Sequence, residues 1–488
     1  MGPTFGPTRL SAIPWSAPSD RSPGHRHPIH AMRLLLAGDI HMGRTSTRFD
    51  AVEGGGRRVG LGARAAWGRI VDTALEHRCD AVLLSGDVAD QENGFWEAVG
   101  PLQEGTARLA EEEIRTVAVA GNHDHSVLGR LADTLPPEHF TLLGRGGRWE
   151  RMTLEKGGVP TLHIDGWSFP GSRVTESPLD RYDLPRVHGT PVLGLVHGDL
   201  DAPGSVYAPL AASDLRSCPV DGWLLGHIHA PRLLEAGGGA PWILYPGSPQ
   251  ALHPGETGPH GIWLVEVEEG RLGRPRLQPL STARYQAVEV QVDGIRDPDA
   301  VEPHLLATLE EEVERLRDES GEVLRYVALR VSLTGSTQIP TAVARAVTAL
   351  GSTGGEKTDI SMAQVRVLVD RVADATTPSL DLEEAARSPS ALGAAARLLL
   401  LLEGRREPAG GEATKLDLLV EGTRRHLERL QRERVYRALE AEPVTDAVAW
   451  EHLRLATRRL LHRLASQIGA NGIHSAEGSN VQRLQRAP

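Results

Sequence analysis

One arrangement recurs five times between residues 32 and 282 and constrains this chain more than its composition does: a short apolar run that leads into Asp, Asn or His, in most copies through a glycine. Leu34-Leu35-Leu36-Ala37-Gly38 leads into Asp39 and His41, and Ala81-Val82-Leu83-Leu84-Ser85-Gly86 into Asp87 and Asp90. Val117-Ala118-Val119-Ala120-Gly121 leads into Asn122, His123 and Asp124. Val192-Leu193-Gly194-Leu195-Val196 runs into His197, and Trp223-Leu224-Leu225-Gly226 into His227 and His229. Continuous runs rich in Val and Leu suit strands buried on both faces of a sheet, and glycine at the exit lets the chain turn sharply. Between the first two runs, Trp67, Ile70, Val71, Ala74 and Leu75 follow the spacing of a crossover helix. An α/β layered domain is expected, with every polar candidate at a strand's carboxyl end. In such domains the loops beyond those ends converge on one crevice.

Asp39, His41, Asp87, Asn122, His197, His227 and His229 mix carboxylate, amide and imidazole donors. That mixture suits Mn²⁺, Fe or Zn²⁺ better than an all-oxygen Mg²⁺ or Ca²⁺ site. Seven donors exceed the need of one ion, whereas two cations sharing a carboxylate would use them all. The spacings Asp39-Ile40-His41 and His227-Ile228-His229 would aim both members of each pair to one side if the segments are extended. Any single Asp or His here reads more simply as a solvated loop residue. Five motifs in order, each after a strand-like run, make coincidence the weaker explanation.

The formal net charge of −11 excludes a chain coated in positive potential, so a nucleic-acid surface would have to be local or supplied by bound cations. Only Cys79 and Cys218 occur, which fits a reducing compartment without a disulfide framework, and a cytoplasmic location is expected. The most apolar segment, Ala391 to Leu402, is shorter than the roughly 20 residues of a membrane span. Residues 1–31 are rich in Pro, Ser, Gly and His and read as a disordered extension, so that either Met1 or Met32 could start the chain.

Beyond the repeated pattern the text changes. Val288, Val290 and Val292 alternate with polar residues, Leu305 to Leu316 reads as an acidic helix, and Val327, Leu329, Val331 and Leu333 alternate again. A small α/β unit over 283–375 is expected. Residues 376–488 read as helical, with a break at Pro408 to Gly411 and apolar stripes that include Leu416, Leu419, Leu453, Leu460 and Leu464. Arg424, Arg425, Arg429, Arg458 and Arg459 are interleaved with glutamates, which reads first as a solvated face.

The motifs over residues 32–282 resemble the signature of the calcineurin-like metallophosphoesterases. The resemblance implies a four-layer αββα sandwich over 32–282, a small α/β capping domain over 283–375 and a helical C-terminal region over 376–488. It implies that Asp39, His41, Asp87 and His229 hold one metal and Asp87, Asn122, His197 and His227 the other, with Asp87 bridging. His123 matches the family's non-ligand histidine, which contacts the scissile phosphate, and Asp90 would orient it. Gly166-Trp167-Ser168-Phe169-Pro170, Tyr245-Pro246-Gly247-Ser248-Pro249-Gln250 and Glu256-Thr257-Gly258-Pro259-His260-Gly261 are similar to segments of SbcD and YhaO type DNA-repair exonucleases. Gly38 stands where many relatives have Ser. A two-metal, Mn²⁺-dependent DNA exonuclease or endonuclease follows, working with a coiled-coil ATPase of the SbcC type docked on the C-terminal helices, and able to form a homodimer. The same fold hydrolyses nucleotides and other phosphoesters in other families. A non-catalytic DNA- or ATPase-binding scaffold would be marked by a missing ligand, and none is missing.

Overall fold

The computed structural model describes residues 31–481 apart from 48, 50–59, 91–93, 236, 238, 353–359, 363, 380 and 433–443. The extension expected over 1–31 lies outside the described residues up to residue 30. The first three apolar runs form strands β1 (Met32–Ala37), β2 (Ala81–Leu84) and β3 (Arg115–Ala118), which pair in parallel with one another and with β4 (Phe140–Leu142). A second sheet contains β5 (Glu150–Lys156), β6 (Val159–Trp167), β7 (Val192–His197), β8 (Gly222–Gly226), β9 (Arg232–Leu234) and β10 (Trp242–Tyr245). Its order is β5-β6-β7-β8-β10-β9, with a parallel centre and antiparallel edges. The chain then returns to the first sheet as β11 (Gly261–Glu268), antiparallel to β1 and flanked by β12 (Arg271–Leu272) and β13 (Arg276–Pro279).

Burial on both faces explains why the ligand-bearing runs are continuous rather than alternating. Leu34 and Leu36 of β1 pack between the two sheets with Leu83, Val117, Ile164, Leu193, Leu195 and Leu224. Leu35 and Ala37, one residue out of phase, face the other side with helices α1 (Ala63–Glu76), α2 (Gly94–Glu111) and α3 (Val127–Ala132). On α1 the buried residues Trp67, Ile70, Val71 and Ala74 form the stripe expected of a crossover helix, and the Trp67 indole donates to the Pro101 carbonyl at 2.8 Å. The far face of the second sheet is covered by α4 (Ala212–Ser217) and loops around Leu179 and Tyr182, packed on Val196, Trp223 and Tyr245. The αββα order is therefore present, with an outer helical layer on that side that is thin. Each fully buried Leu or Val contributes roughly 1.5–3 kcal/mol, so two sheets buried on both faces make a stiff platform. The polar candidates sit at its edge, at or just beyond the carboxyl ends of β1, β2, β3, β7 and β8.

Downstream, β14 (Ala283–Gln291), β15 (Tyr326–Thr334), β16 (Ser336–Thr337), β17 (Ile360–Met362), β18 (Val365–Asp374) and β19 (Thr377–Pro378) follow. A four-stranded sheet runs β14-β15-β18-β17. Helices α5 (Val301–Ser320) and α6 (Pro340–Ser352) lie in the same stretch. By internal contacts one compact unit runs through Val288 and includes Ala307–Val331 and Leu350–Arg371. The other comprises Glu289–Leu306, Ser332–Ala349 and the chain from Val372 onward. That second unit contains α7 (Leu382–Arg387), α8 (Ala391–Leu402), α9 (Glu412–Arg432) and α10 (Asp446–Val481). Leu399 and Leu461 share one small core, Leu402 and Leu416 another, and the Trp450 indole donates to the Leu402 carbonyl at 3.0 Å. On α10 the expected Leu453 and Leu464 pack against these cores, but between them Leu461 is buried in place of Leu460, which is 51% exposed. Arg424 and Arg425 pair with Glu421, and Arg458 with Glu403, as a solvated face requires. No helix among the described residues is long and apolar enough to cross a membrane.

Candidate metal centre

All seven donors expected from the sequence meet in one cradle. His41 Nε2 and His229 Nε2 face each other at 3.0 Å, and ligand atoms of Asp39, His41 and His229 lie within 4.8 Å of one another. On the other side, Asn122 Oδ1 lies 3.1 Å from His197 Nε2 and 3.3 Å from His227 Nδ1. Asp87 stands between the halves, with Oδ2 3.4 Å from His197 Nε2 and 3.8 Å from His41 Nε2. Asp39, His41, Asp87, Asn122 and His197 are buried.

The outward ring nitrogens decide what the inward ones can do. His197 Nδ1 lies 3.0 Å from the Ser85 carbonyl, and His229 Nδ1 2.8 Å from Glu256 Oε1. His227 Nε2 faces Asp199 Oδ1 at 3.6 Å, and His41 Nδ1 faces Asp90 Oδ1 at 3.7 Å. For His197 and His229 the acceptor is within hydrogen-bond distance and draws the ring proton outward, so the inner nitrogen presents a lone pair. Those two lone pairs, the rings of His41 and His227, an amide oxygen and two buried carboxylates converge in the cradle. Burial raises the Asp39 carboxyl, and Asp87 beside it adds to the rise. Burial would raise Asp87 as well, but the rings of His197, His41 and His123 and the His123 backbone N–H together draw it below its ordinary value. Burial lowers His197 and His227 toward the neutral form that binds metal. The donors thus fit two divalent cations by number and type.

The backbone at the cradle is unusual. Among the described residues ten non-glycine positions have positive φ, and four are in this set: Asp39 (φ 50°), His41 (51°), Asp87 (50°) and His227 (102°). Left-handed conformation in non-glycine residues costs on the order of 1 kcal/mol or more and persists where surrounding contacts over-determine it. Here they do: the His227 N–H donates to the Asp39 carboxylate at 3.0 Å, and the Asp39 N–H to the Gly86 carbonyl at 3.0 Å. Asp39 and His41 therefore reach one pocket through left-handed turns, not through the alternation of an extended segment expected from their spacing. Gly86 (φ 95°) has room for no Cβ, which would lie 2.7 Å from His197 Nδ1.

His123 and Asp90 lie at the rim. Asp90 Oδ1 is 3.3 Å from His123 Nδ1, the His123 side chain is 34% exposed, and its backbone N–H donates to Asp87 Oδ1 at 2.9 Å. His41 beside it and the Arg44 guanidinium, bidentate at 3.0 Å on both oxygens, hold Asp90 well below the usual carboxylate range. Sequence reasoning did not single out Arg44. Asp124, which follows the third run but is not among the seven donors, is fully buried and accepts from the N–H groups of Gly121 (2.7 Å), Val88 (2.7 Å) and Ala89 (3.3 Å), tying two ligand loops together. Burial, with Asp87 nearby, pushes the Asp124 carboxyl up to about 8. The sequence motifs do not single out Asp199, and Glu256 stands among them only within a family-like segment. His163 is a strand residue of β6, bonded to the Thr153 hydroxyl at 2.8 Å.

A family model described as calcineurin-like phosphoesterase matches residues 32–231. The chain is 32% identical over 204 residues to the "uncharacterized metallophosphoesterase YhaO" of Bacillus subtilis, covering 41% of this chain and 48% of that protein. It is 28% identical over 271 residues to the "DNA double-strand break repair protein Mre11" of Haloferax volcanii, covering 54% of this chain and 55% of that one. The matches thus span about half the length of these curated relatives. Among solved structures, a dimetal phosphatase from Danio rerio aligns at a TM-score of 0.33 and 14% identity, over 51% of this chain and 98% of that one.

Proposed function

Because residues 32–231 belong to the calcineurin-like phosphoesterases, we infer that the cradle hydrolyses phosphodiester bonds of DNA with two divalent cations, Mn²⁺ foremost. The observation that carries this reading is the convergence of seven donors from five strand ends, with Asp87 between the two halves. Asp39, His41, Asp87 and His229 would hold one cation, and Asp87, Asn122, His197 and His227 the other. When bound, the cations supply Lewis acidity and an activated water for in-line displacement at phosphorus. The chain's own residues do the rest. With its ring protonated on both nitrogens, His123 would give Nδ1–H to Asp90 and present Nε2–H to a phosphoryl oxygen, the proton it would pass to the departing one. Arg44 keeps the Asp90 carboxylate ionised for that task.

A DNA substrate is supported by the relatives, one of which is named for double-strand break repair. It is also supported by the long chain beyond residue 282, which a small-molecule esterase does not need. In this reading residues 283–375 cap the nuclease and select DNA ends, and residues 376–488 dock a coiled-coil ATPase of the SbcC type. Leu418 (67% exposed) and Leu419 (44%) on α9 and Leu455 (40%) and Leu460 (51%) on α10 offer apolar anchors for such helix-on-helix docking.

The test is digestion of linear, circular and single-stranded DNA by the purified protein with Mn²⁺, beside a cyclic nucleotide. Linear DNA should be degraded, and Asp87→Ala or His123→Ala should reduce the rate by about 10² to 10³, the usual cost of a lost transition-state stabiliser. Wild-type rates in both folded variants would reject the site. Turnover of the cyclic nucleotide alone would reject the DNA assignment and leave the two-cation chemistry standing.

A further inference from the structure

Glu256 is 4% exposed, yet both of its oxygens are fully engaged. Oε1 lies 2.8 Å from His229 Nδ1 and 3.1 Å from His253 Nε2. Oε2 accepts from the Leu252 backbone N–H at 2.7 Å and the Ser248 hydroxyl at 3.1 Å. The backbone donor is immovable, so one oxygen is anchored and the other is aimed at His229. Only a carboxylate can accept on both sides at once. The opposite ring nitrogen, His229 Nε2, is the one that faces His41 at 3.0 Å inside the cradle.

We propose that Glu256 is a positioning residue that fixes His229 in the tautomer protonated on Nδ1, so that Nε2 offers its lone pair to the cation held with Asp39 and His41. The inference rests on the two-cation reading above and adds to it which outer residue sets one cation's affinity. His197 is controlled differently, by the Ser85 backbone carbonyl, so Glu256 acts on one half of the cradle only. Outer partners of this kind change metal affinity about 10- to 100-fold when removed.

The two obvious substitutions separate tautomer control from packing. In Glu256→Gln the amide oxygen must turn to the Leu252 N–H, since two donors cannot face each other. The amide NH₂ then points at His229 Nδ1 and demands a lone pair there, which drives the ring proton onto Nε2 and into the cradle. In Glu256→Ala the ring loses its brace but keeps the choice of tautomer. Glutamine, nearly the same size as glutamate, should therefore bind metal no better than alanine.

The experiment is calorimetric titration of Mn²⁺ into the metal-free full-length protein and both variants, with thermal melting in chelator as the check on folding. The wild type should show two sites. Glu256→Gln should weaken one of them about 10- to 100-fold and leave the other unchanged, with Glu256→Ala weakened equally or less. Wild-type affinity in Glu256→Gln overturns the inference. So does a larger loss in alanine than in glutamine, which is what a packing role alone gives. Should the alanine variant fail to fold, the glutamine variant decides by itself. A wild type without two sites overturns both this inference and the reading beneath it.

Discussion

Replacing Gly121 by alanine tests the centre of the cradle with one carbon atom. Gly121 precedes Asn122, and a Cβ built on it would lie 2.2 Å from Asp87 Oδ1 and 2.8 Å from the Asp87 backbone nitrogen. Its φ is not positive, so alanine brings no conformational strain and the effect is steric. An ordinary contact begins at 3.4 Å, so the carboxylate that stands between the two halves has to withdraw by about 1 Å, a misplacement that can cost on the order of 10² in rate. The overpacking itself should cost about 1–3 kcal/mol, which at roughly 2–4 °C per kcal/mol in a domain of this size lowers the melting temperature by several degrees. The assay is Mn²⁺-dependent cleavage of a bis-aryl phosphodiester, followed beside calorimetry of metal binding. A rate loss near 10² with a protein still folded at assay temperature is expected. A wild-type rate with wild-type metal affinity would refute the placement of Asp87 against Gly121.

Two further outcomes follow from contacts away from the cradle. Cys79 is buried, and burial pushes its thiol up to about 12. At about pH 8 it should resist iodoacetamide in the native protein and react once urea unfolds it, since only the thiolate is nucleophilic; rapid native labelling would contradict the packing of the segment between α1 and β2. Arg151 clamps the fully buried Asp165 with two bonds of 2.6 Å, and Tyr182 donates to the same carboxylate at 2.5 Å. Arg151→Met should cost about 3–5 kcal/mol by stranding that charge while leaving Mn²⁺ affinity unchanged; equal melting curves would show the pair to be dispensable.

The five strand ends and the seven donors they carry could be read directly, because burial on both faces of a sheet forces a continuous apolar run and the run ends where the chain must leave the core. Leu34, Leu35, Leu36 and Ala37 announce β1, and Asp39 and His41 follow it in the crevice. One-dimensional periodicity was a weaker guide on the C-terminal helices, where Leu460 and Leu461 differ by about 100° around the axis and only packing chose Leu461 for the core. The left-handed turns at Asp39, His41, Asp87 and His227 are only weakly marked in residue type: Asp and His enter that region more readily than most residues but occupy others far more often, so the neighbouring loops decide. The outer partners were hidden for the same reason. Arg44 meets Asp90 across 46 residues and Glu256 meets His229 across 27. Such pairs exist only after both sheets close, so the sequence by itself determined which atoms could bind a cation, and the tertiary structure decided which way each of them points.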